Sequence, residues 1–204
     1  DLARIGFGQS VALTPIQMMM AANSVINGGK LMKPYIVSEI QTPDGETLER
    51  FHPTVMAAPI RPETSDTMRL LLERVVSEGG GKNAAIAGYR IGGKTGTAQV
   101  YKNGRVVRDT HIGSFYGFAP VNDPQVSILV IVKEADVPID YGGTTAAPFA
   151  RQIMQEMLPY LGIEPENDEK DEEIEVPALK GLTIGDAKRK LSQVGLESVT
   201  DGAN

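Results

Sequence analysis

There is no cysteine and no tryptophan in this chain, and histidine occurs only twice, at His52 and His111. The missing thiols exclude disulfides, cysteine nucleophiles and the usual zinc clusters. His111 lies just before a predicted strand, where a solvated or hydrogen-bonded role is expected rather than catalysis. Long apolar runs are also missing. The stretch from Val11 to Ile26 is broken by Thr, Pro, Gln and Asn and is too short and too polar to span a bilayer. No membrane segment or signal peptide is read from the chain, which begins at Asp1 and is expected to be a piece of a longer protein. Aromatic residues make up 5% and form no basic, aromatic-interleaved patch, so nucleic acid is not an expected partner. The net charge of −6 is local: Glu164 to Glu175 holds eight acidic residues against Lys170 alone, and the rest of the chain is close to neutral.

What is present suits one core with a small appendage, with 41% hydrophobic residues in 204. Thr14-Pro15-Ile16-Gln17 predicts a helix start, with Thr14 as N-cap, Pro15 in the first helical position and Gln17 closing a capping box. The helix should run to Ile26 and stop at Asn27-Gly28-Gly29, with Met18, Met19 and Met20 as adaptable core filler. Two extended runs, 31–41 and 47–51, read as a hairpin turning at Pro43-Asp44-Gly45. Met68, Leu71, Leu72, Val75 and Val76 fall on one face of a helix over 63–78. Strands are expected at 89–101, 112–119 and 126–134, with Val106 and Val107 in the return path, forming an antiparallel meander. The last of these is apolar on both faces and is expected to be the most buried. Thr144 or Thr145 should cap a final helix over 146–161. Beyond the acidic linker, Val176-Pro177 should begin a strand. A helix over 183–194 should follow, with Ala187, Leu191 and Val194 inward and a further strand over 196–199. About thirty residues are too few to fold alone, so this is expected to be a truncated second domain.

Lys94 to Gln99 reads Lys-Thr-Gly-Thr-Ala-Gln and supports two incompatible chemistries. Read backwards from Thr95, Gly88 to Thr95 fits the phosphate-binding pattern G-x-x-x-x-G-K-[ST]. A phosphate loop needs a helix opening at its Lys-Thr, whose N-terminal N–H groups hold the anion. Here Gly96 would cost such a helix about 1 kcal/mol, Thr, Val and Tyr favour a strand, and Asn103-Gly104 signals a tight hairpin. Lys94 therefore lies on a strand. Read forwards, Lys94-Thr95-Gly96 is the third signature of the penicillin-recognising serine acyltransferases. A given tripeptide arises by chance about one time in twenty in a chain this long, so the surroundings must carry the reading.

Those surroundings resemble the class B penicillin-binding proteins. Gly93 to Gln99 and Ser114-Phe115-Tyr116-Gly117-Phe118-Ala119-Pro120 are similar to two successive strands of that family. Gly6-Phe7-Gly8-Gln9-Ser10, Thr14 to Gln17, Gly142-Gly143 and Ala147-Pro148-Phe149 resemble its flanking elements in the family's order. The resemblance covers residues 1–162, and the tail from Val176 resembles the start of a PASTA domain. It implies an α+β fold, an antiparallel sheet packed with helices as in the transpeptidase and serine β-lactamase-like fold. Here that fold would be partial, with 1–162 the C-terminal part of a transpeptidase domain, 163–175 an acidic linker and 176–204 a truncated PASTA module. The implied reaction is the cross-linking of cell-wall stem peptides by serine acyl transfer, with peptides ending in D-Ala-D-Ala and β-lactams as ligands. Divisome or sporulation-septum proteins are the implied partners of the full-length protein, at the extracytoplasmic face of the bacterial membrane and anchored by a segment outside this chain. No cofactor or metal is implied.

By motif position, Thr97 should place its backbone N–H in the oxyanion hole, worth about 3 kcal/mol in the transition state. The hydroxyls of Thr95 and Thr97 should hold the substrate carboxylate. Lys94 should raise the local potential and support proton transfer, and Gly96 should let the substrate approach the backbone. The chain departs from the family's full set, because no serine has Lys three residues on or Asn two residues on. Without an activated serine there is no covalent step, so the polypeptide by itself is expected to be inactive. With three strands in place of five, the strand over 126–134 should carry an exposed apolar edge unless another chain supplies the missing half. A non-catalytic module binding peptidoglycan or a partner is the alternative reading.

Overall fold

The structure, a computed structural model, describes residues 5–6, 8, 11–103, 105–166, 176–194 and 196. The chain divides into two compact units, Asp1–Pro165 and Glu166–Asn204. In the first, helix α1 (Pro15–Ile26) opens as its sequence predicts. The Gln17 N–H donates to Thr14 Oγ1, and the Gln17 side chain accepts from the Thr14 N–H at 3.0 Å. Two small ribbons follow. Strand β1 (Leu31–Met32) pairs with β4 (Val55–Ala57), and β2 (Glu39–Gln41) forms a hairpin with β3 (Thr47–Arg50). The expected continuous run over 31–41 is thus broken after Met32, with Pro34 in the gap, since proline has no N–H to give a ladder. Strand β4, absent from the sequence reading, is three exposed residues lying between Pro53 and Pro59.

Helix α2 (Pro62–Ser77) leads through a 3₁₀ turn (Lys82–Ala84) to the central sheet. Its strands, in the order β5 (Gly92–Lys102), β6 (Arg105–Ala119) and β7 (Val126–Lys133), are all antiparallel. The β5–β6 ladder closes at Lys102↔Arg105, and Asn103 takes φ 53°, the left-handed conformation expected of this turn; Gly104 lies outside the described residues. The strand expected from residue 89 begins three residues later, because Tyr89 is held in a bridge to Ile86 and donates its hydroxyl to Ile163 O.

Strand β6 separates two apolar clusters by simple alternation. Phe115 and Ala119 pack with Ala147, Ala150, Met154 and Leu158 of helix α4 (Ala147–Tyr160), whereas Tyr116 and Phe118 pack with Ile26 and Val121 on the other face. Both phenylalanines are fully buried, and their rings lie where side chains at Gly92 and Gly93 would be. The most buried strand is therefore β6 and not, as expected, β7. Strand β6 has a neighbour on each side. Strand β7 is an edge among the described residues, half-buried along most of its length with Ile131 exposed, which matches the expected apolar edge. Leu71, read as inward on α2, is half exposed, while Val76 is buried.

The final helix also differs from expectation. A short helix α3 (Gly142–Thr145) precedes α4, and neither threonine caps it. Both threonines lie inside α3, with Ala146 at the cap position of α4; Thr144 Oγ1 donates to Ile139 O and Tyr141 O, and Thr145 Oγ1 donates to Tyr141 O. In the second unit, helix α5 (Ile184–Gln193) is capped by Thr183, with Ala187 and Leu191 half-buried and Val194 more exposed. Residues 176–179 form no strand, and the strand expected over 196–199 lies, except for Leu196, outside the described residues.

An ion pair ties α2 to the segment that leads into β5. Arg90 Nε and Nη2 donate to the two Glu73 carboxylate oxygens at 2.6 and 2.7 Å. The hydrogen bonds from Arg90 hold the Glu73 carboxyl below its ordinary value against the opposing effect of burial. A depressed folded-state pKa contributes stability above the unfolded pKa and loses it as pH falls through the folded one. Replacing Glu73 with Gln is expected to lower Tm at neutral pH. The difference from the parent should close on acidification below the ordinary carboxylate range; a gap that stays constant in a thermal-melt pH series would contradict the assignment.

Candidate active site

Among the described residues, strand β5 places Lys94 to Thr97 at the edge of the sheet, paired only with β6: Lys94 opposite Tyr116, Thr95 opposite Phe115, Gly96 opposite Ser114 and Thr97 opposite Gly113. The alternation of β5 turns Lys94 and Gly96 toward the α1 and α2 side, where a cavity of about 260 Å³ opens. Its walls are apolar and come from α1 (Met18, Ala22, Val25), α2 (Met68, Leu72) and Leu129 of β7, while Lys94, Thr95, Gly96 and Ser114 line its sheet side. Lys94 is the one charged residue among these, and it is exposed at the open side of the cavity. The Lys94 ammonium donates to the carbonyl of Thr95 at 2.7 Å. Of the three methionines read as core filler, Met19 packs against the second cluster, while Met18 is exposed on the rim of the cavity.

Thr97 faces the other way. Its Oγ1 accepts from the Gly142 N–H at 3.2 Å, so the β5 strand and the start of α3 are joined at this hydroxyl. A side chain on Gly96 would meet Ser114 Oγ at 2.5 Å, and one on Gly142 would strike the carbonyl oxygens of Gly96 and Ser114. Gly142 and Gly143 are required by close backbone approach, whereas at Gly96 the space is taken by the Ser114 side chain. Lys94, Thr95 and Gly96 are therefore brought to one cavity, and Thr97 is the link from that strand to the opposite layer.

Three features escaped the sequence reading. Ser114 enters the cavity through its register with Gly96, which no local signal gives. Tyr116 is buried, with its hydroxyl donating to Asn23 Oδ1 at 2.8 Å across to α1, and burial pushes its phenol well above the ordinary range, so it stays neutral. Asp140 is 7% exposed and receives two hydrogen bonds from His111, whose hydrogen-bonded role was expected but whose partner, 29 residues away, was not. Among the described residues there is no group of three or more acidic or histidine side chains able to hold a metal ion, and no helix long and apolar enough to cross a membrane.

With this geometry in hand, comparison with known proteins is specific. Residues 1–155 match the penicillin binding protein transpeptidase domain. The chain is 39% identical over 212 residues to Stage V sporulation protein D of Bacillus subtilis (strain 168), an alignment covering 100% of this chain and 33% of the relative. It is 32% identical over 178 residues to the peptidoglycan D,D-transpeptidase FtsI homolog of Mesostigma viride, covering 81% of this chain and 30% of that protein. The crystal structure of penicillin binding protein 3 from Mycobacterium tuberculosis complexed with ampicillin superposes with a TM-score of 0.72 at 26% identity, over 82% of this chain and 39% of the other. The chain thus spans about a third of the length of these curated relatives.

Proposed function

The chain belongs to the penicillin binding protein transpeptidase family, and from that premise we propose that it supplies the strand wall of a peptidoglycan D,D-transpeptidase active site. The observation that carries this reading is the placement of Lys94-Thr95-Gly96-Thr97 on a strand that is an edge among the described residues, beside an apolar cavity in which Lys94 is the one charged residue among the described lining. A sheet edge can align an extended peptide through its backbone. In the proposed reaction a serine oxygen attacks the carbonyl between the two D-Ala residues. The terminal D-Ala leaves with the proton taken from the serine, and the resulting ester is passed to an amine.

Within that scheme the Thr97 N–H stabilises the negative oxygen of the tetrahedral intermediate, and the Thr95 and Thr97 hydroxyls hold the terminal carboxylate. Lys94 lowers the energy of the anionic species and supports proton transfer, and Gly96 leaves room for the peptide beside Ser114. The serine lies outside these 204 residues in this reading. We further propose the division into a C-terminal transpeptidase part (1–162), an acidic linker (163–175) and the start of a PASTA module (176–204). An extracytoplasmic location follows from the substrate, with septal division or sporulation proteins as partners of the whole molecule.

The test uses the longer polypeptide in which this chain is joined to its S-x-x-K and S-x-N segment. Thr97→Val and Thr95→Val each remove a hydroxyl from a carboxylate, and a hydrogen bond to a charged group is worth about 1.5–3 kcal/mol. Each variant should slow acylation by a carboxylate-bearing β-lactam by about 10- to 100-fold. Unchanged acylation rates in both variants would dispose of the assignment.

A further inference from the structure

Resting on the reading of Lys94 to Thr97 as a substrate-binding wall, we propose that Asp140 is a positioning residue for that wall: by clamping His111 it fixes the Gly142 N–H against Thr97 and so sets the Thr97 side chain. Nothing in the motif logic of the family strand points to this position. The geometry does.

The β6–β7 ladder ends at Ile112↔Lys133. One residue further, the His111 carbonyl still accepts from the Glu134 N–H, but the His111 N–H is taken by Asp140 Oδ2 at 2.7 Å. The other carboxylate oxygen, Oδ1, lies 2.8 Å from His111 Nδ1. A carboxylate can only accept, so Nδ1 carries the proton and the ring orientation is fixed from both sides of one residue. Burial pushes the Asp140 carboxyl up, but the side-chain and backbone hydrogen bonds from His111 outweigh it and hold the group ionised below its ordinary value. The Tyr141 ring adds an edge contact to His111, with centroids 5.6 Å apart.

Two residues past Asp140, Gly142 makes the bond to Thr97 Oγ1. The segment lies flat on the sheet there. A side chain at Gly113 would strike Thr145 Oγ1 and come within 3.1 Å of Gly142 Cα and 3.2 Å of Asp140 O. The Thr144 and Thr145 hydroxyls are spent within their own turn, and Asn83 Nδ2 holds Gly143 O from the 3₁₀ turn, away from the sheet. Asp140 is the side chain that fastens this segment to β6 itself, opposite the strand that carries Thr97. The clamp and the substrate wall are thus parts of one short hydrogen-bonded path: Asp140, His111, the backbone to Gly142, and Thr97.

A double-mutant cycle on the nucleophile-containing polypeptide tests the path. Asp140→Ala should slow β-lactam acylation about tenfold, equivalent to about 1.4 kcal/mol. Asp140→Asn keeps an oxygen for the His111 N–H and should recover part of that loss. In a Thr97→Val background either substitution should cost less than about twofold, because the group it positions is gone. Should Asp140→Ala fail to fold, Asp140→Asn carries the same comparison. An equal slowing with and without the Thr97 hydroxyl would overturn the positioning role and leave only a structural one. No slowing in the parent background would overturn it outright. If Thr97→Val leaves acylation unchanged while Thr95→Val slows it, the Thr97 hydroxyl has nothing to position and the proposal falls alone; if neither slows it, the reading of the wall has failed as well, an outcome distinct from additive losses.

Discussion

Incubated with a fluorescent β-lactam, the 204-residue chain by itself is expected to take up no covalent label, whereas the polypeptide joined to its S-x-x-K segment labels stoichiometrically. A serine attacks an acyl carbon only when a base within hydrogen-bonding reach removes its proton. None of the nine serines has Lys three residues later or Asn two residues later. Ser114 is the serine that lines the cavity together with Lys94, yet it sits across the ladder from Gly96. The Lys94 ammonium donates to the Thr95 carbonyl, and a protonated ammonium has no lone pair with which to act as a base. The cavity can therefore offer charge and a strand edge but no nucleophile. A gel band from the 204-residue chain, traced by peptide mapping to Ser114 or another of its serines, would defeat this account and would move the chemistry into the present chain.

How much of this was legible beforehand follows the range of the signals involved. The capping box at Thr14, the turn conformation at Asn103 and the strand character of Lys94 to Gln99 are set within a few residues, and all three stand in the structure. The mistaken expectations concern what is decided across space. Strand β7 has the more continuous apolar sequence, yet β6 is more buried because it has a strand on both sides. Strand β4 is three residues long and exists because β1 pairs with it. The break between α3 and α4 falls at Ala146, which leaves both threonines inside α3 with their hydroxyls donating to the carbonyls of Ile139 and Tyr141. At the site, the glycines announced close approach, but what they approach was hidden. Gly142 meets Gly96 and Ser114 only after the β7–α3 segment folds back over the sheet. The Asp140–His111 pair is likewise a product of that return.

Phe115→Ala should be the most destabilising single change in the sheet, by about 3–5 kcal/mol. The side chain is fully buried on the central strand, between Thr95 of β5 and Val130 of β7, and packs with Met154 and Leu158 of α4. Truncating it removes apolar contact and leaves a void that two neighbouring strands and a helix cannot close without breaking their own ladder. Against a total of about 5–15 kcal/mol for a typical domain, the loss would shift a large part of the population toward the unfolded state. Urea unfolding should show a lower midpoint with an unchanged slope. A second variant makes the argument specific to the ring. A side chain at Gly93 would meet the Phe115 ring at 2.5 Å and the Tyr116 carbonyl at 2.7 Å. Gly93→Ala should therefore destabilise the parent, and it should cost less when Phe115 is already Ala, since one of its two obstacles is gone. The relief stays partial because the Tyr116 carbonyl is backbone and cannot retreat. Strict additivity of the two changes, or a Phe115→Ala loss below about 1 kcal/mol, would mean that this ring does not lie across β5. Thr95 would then lack the packing beneath it that holds β5 in place.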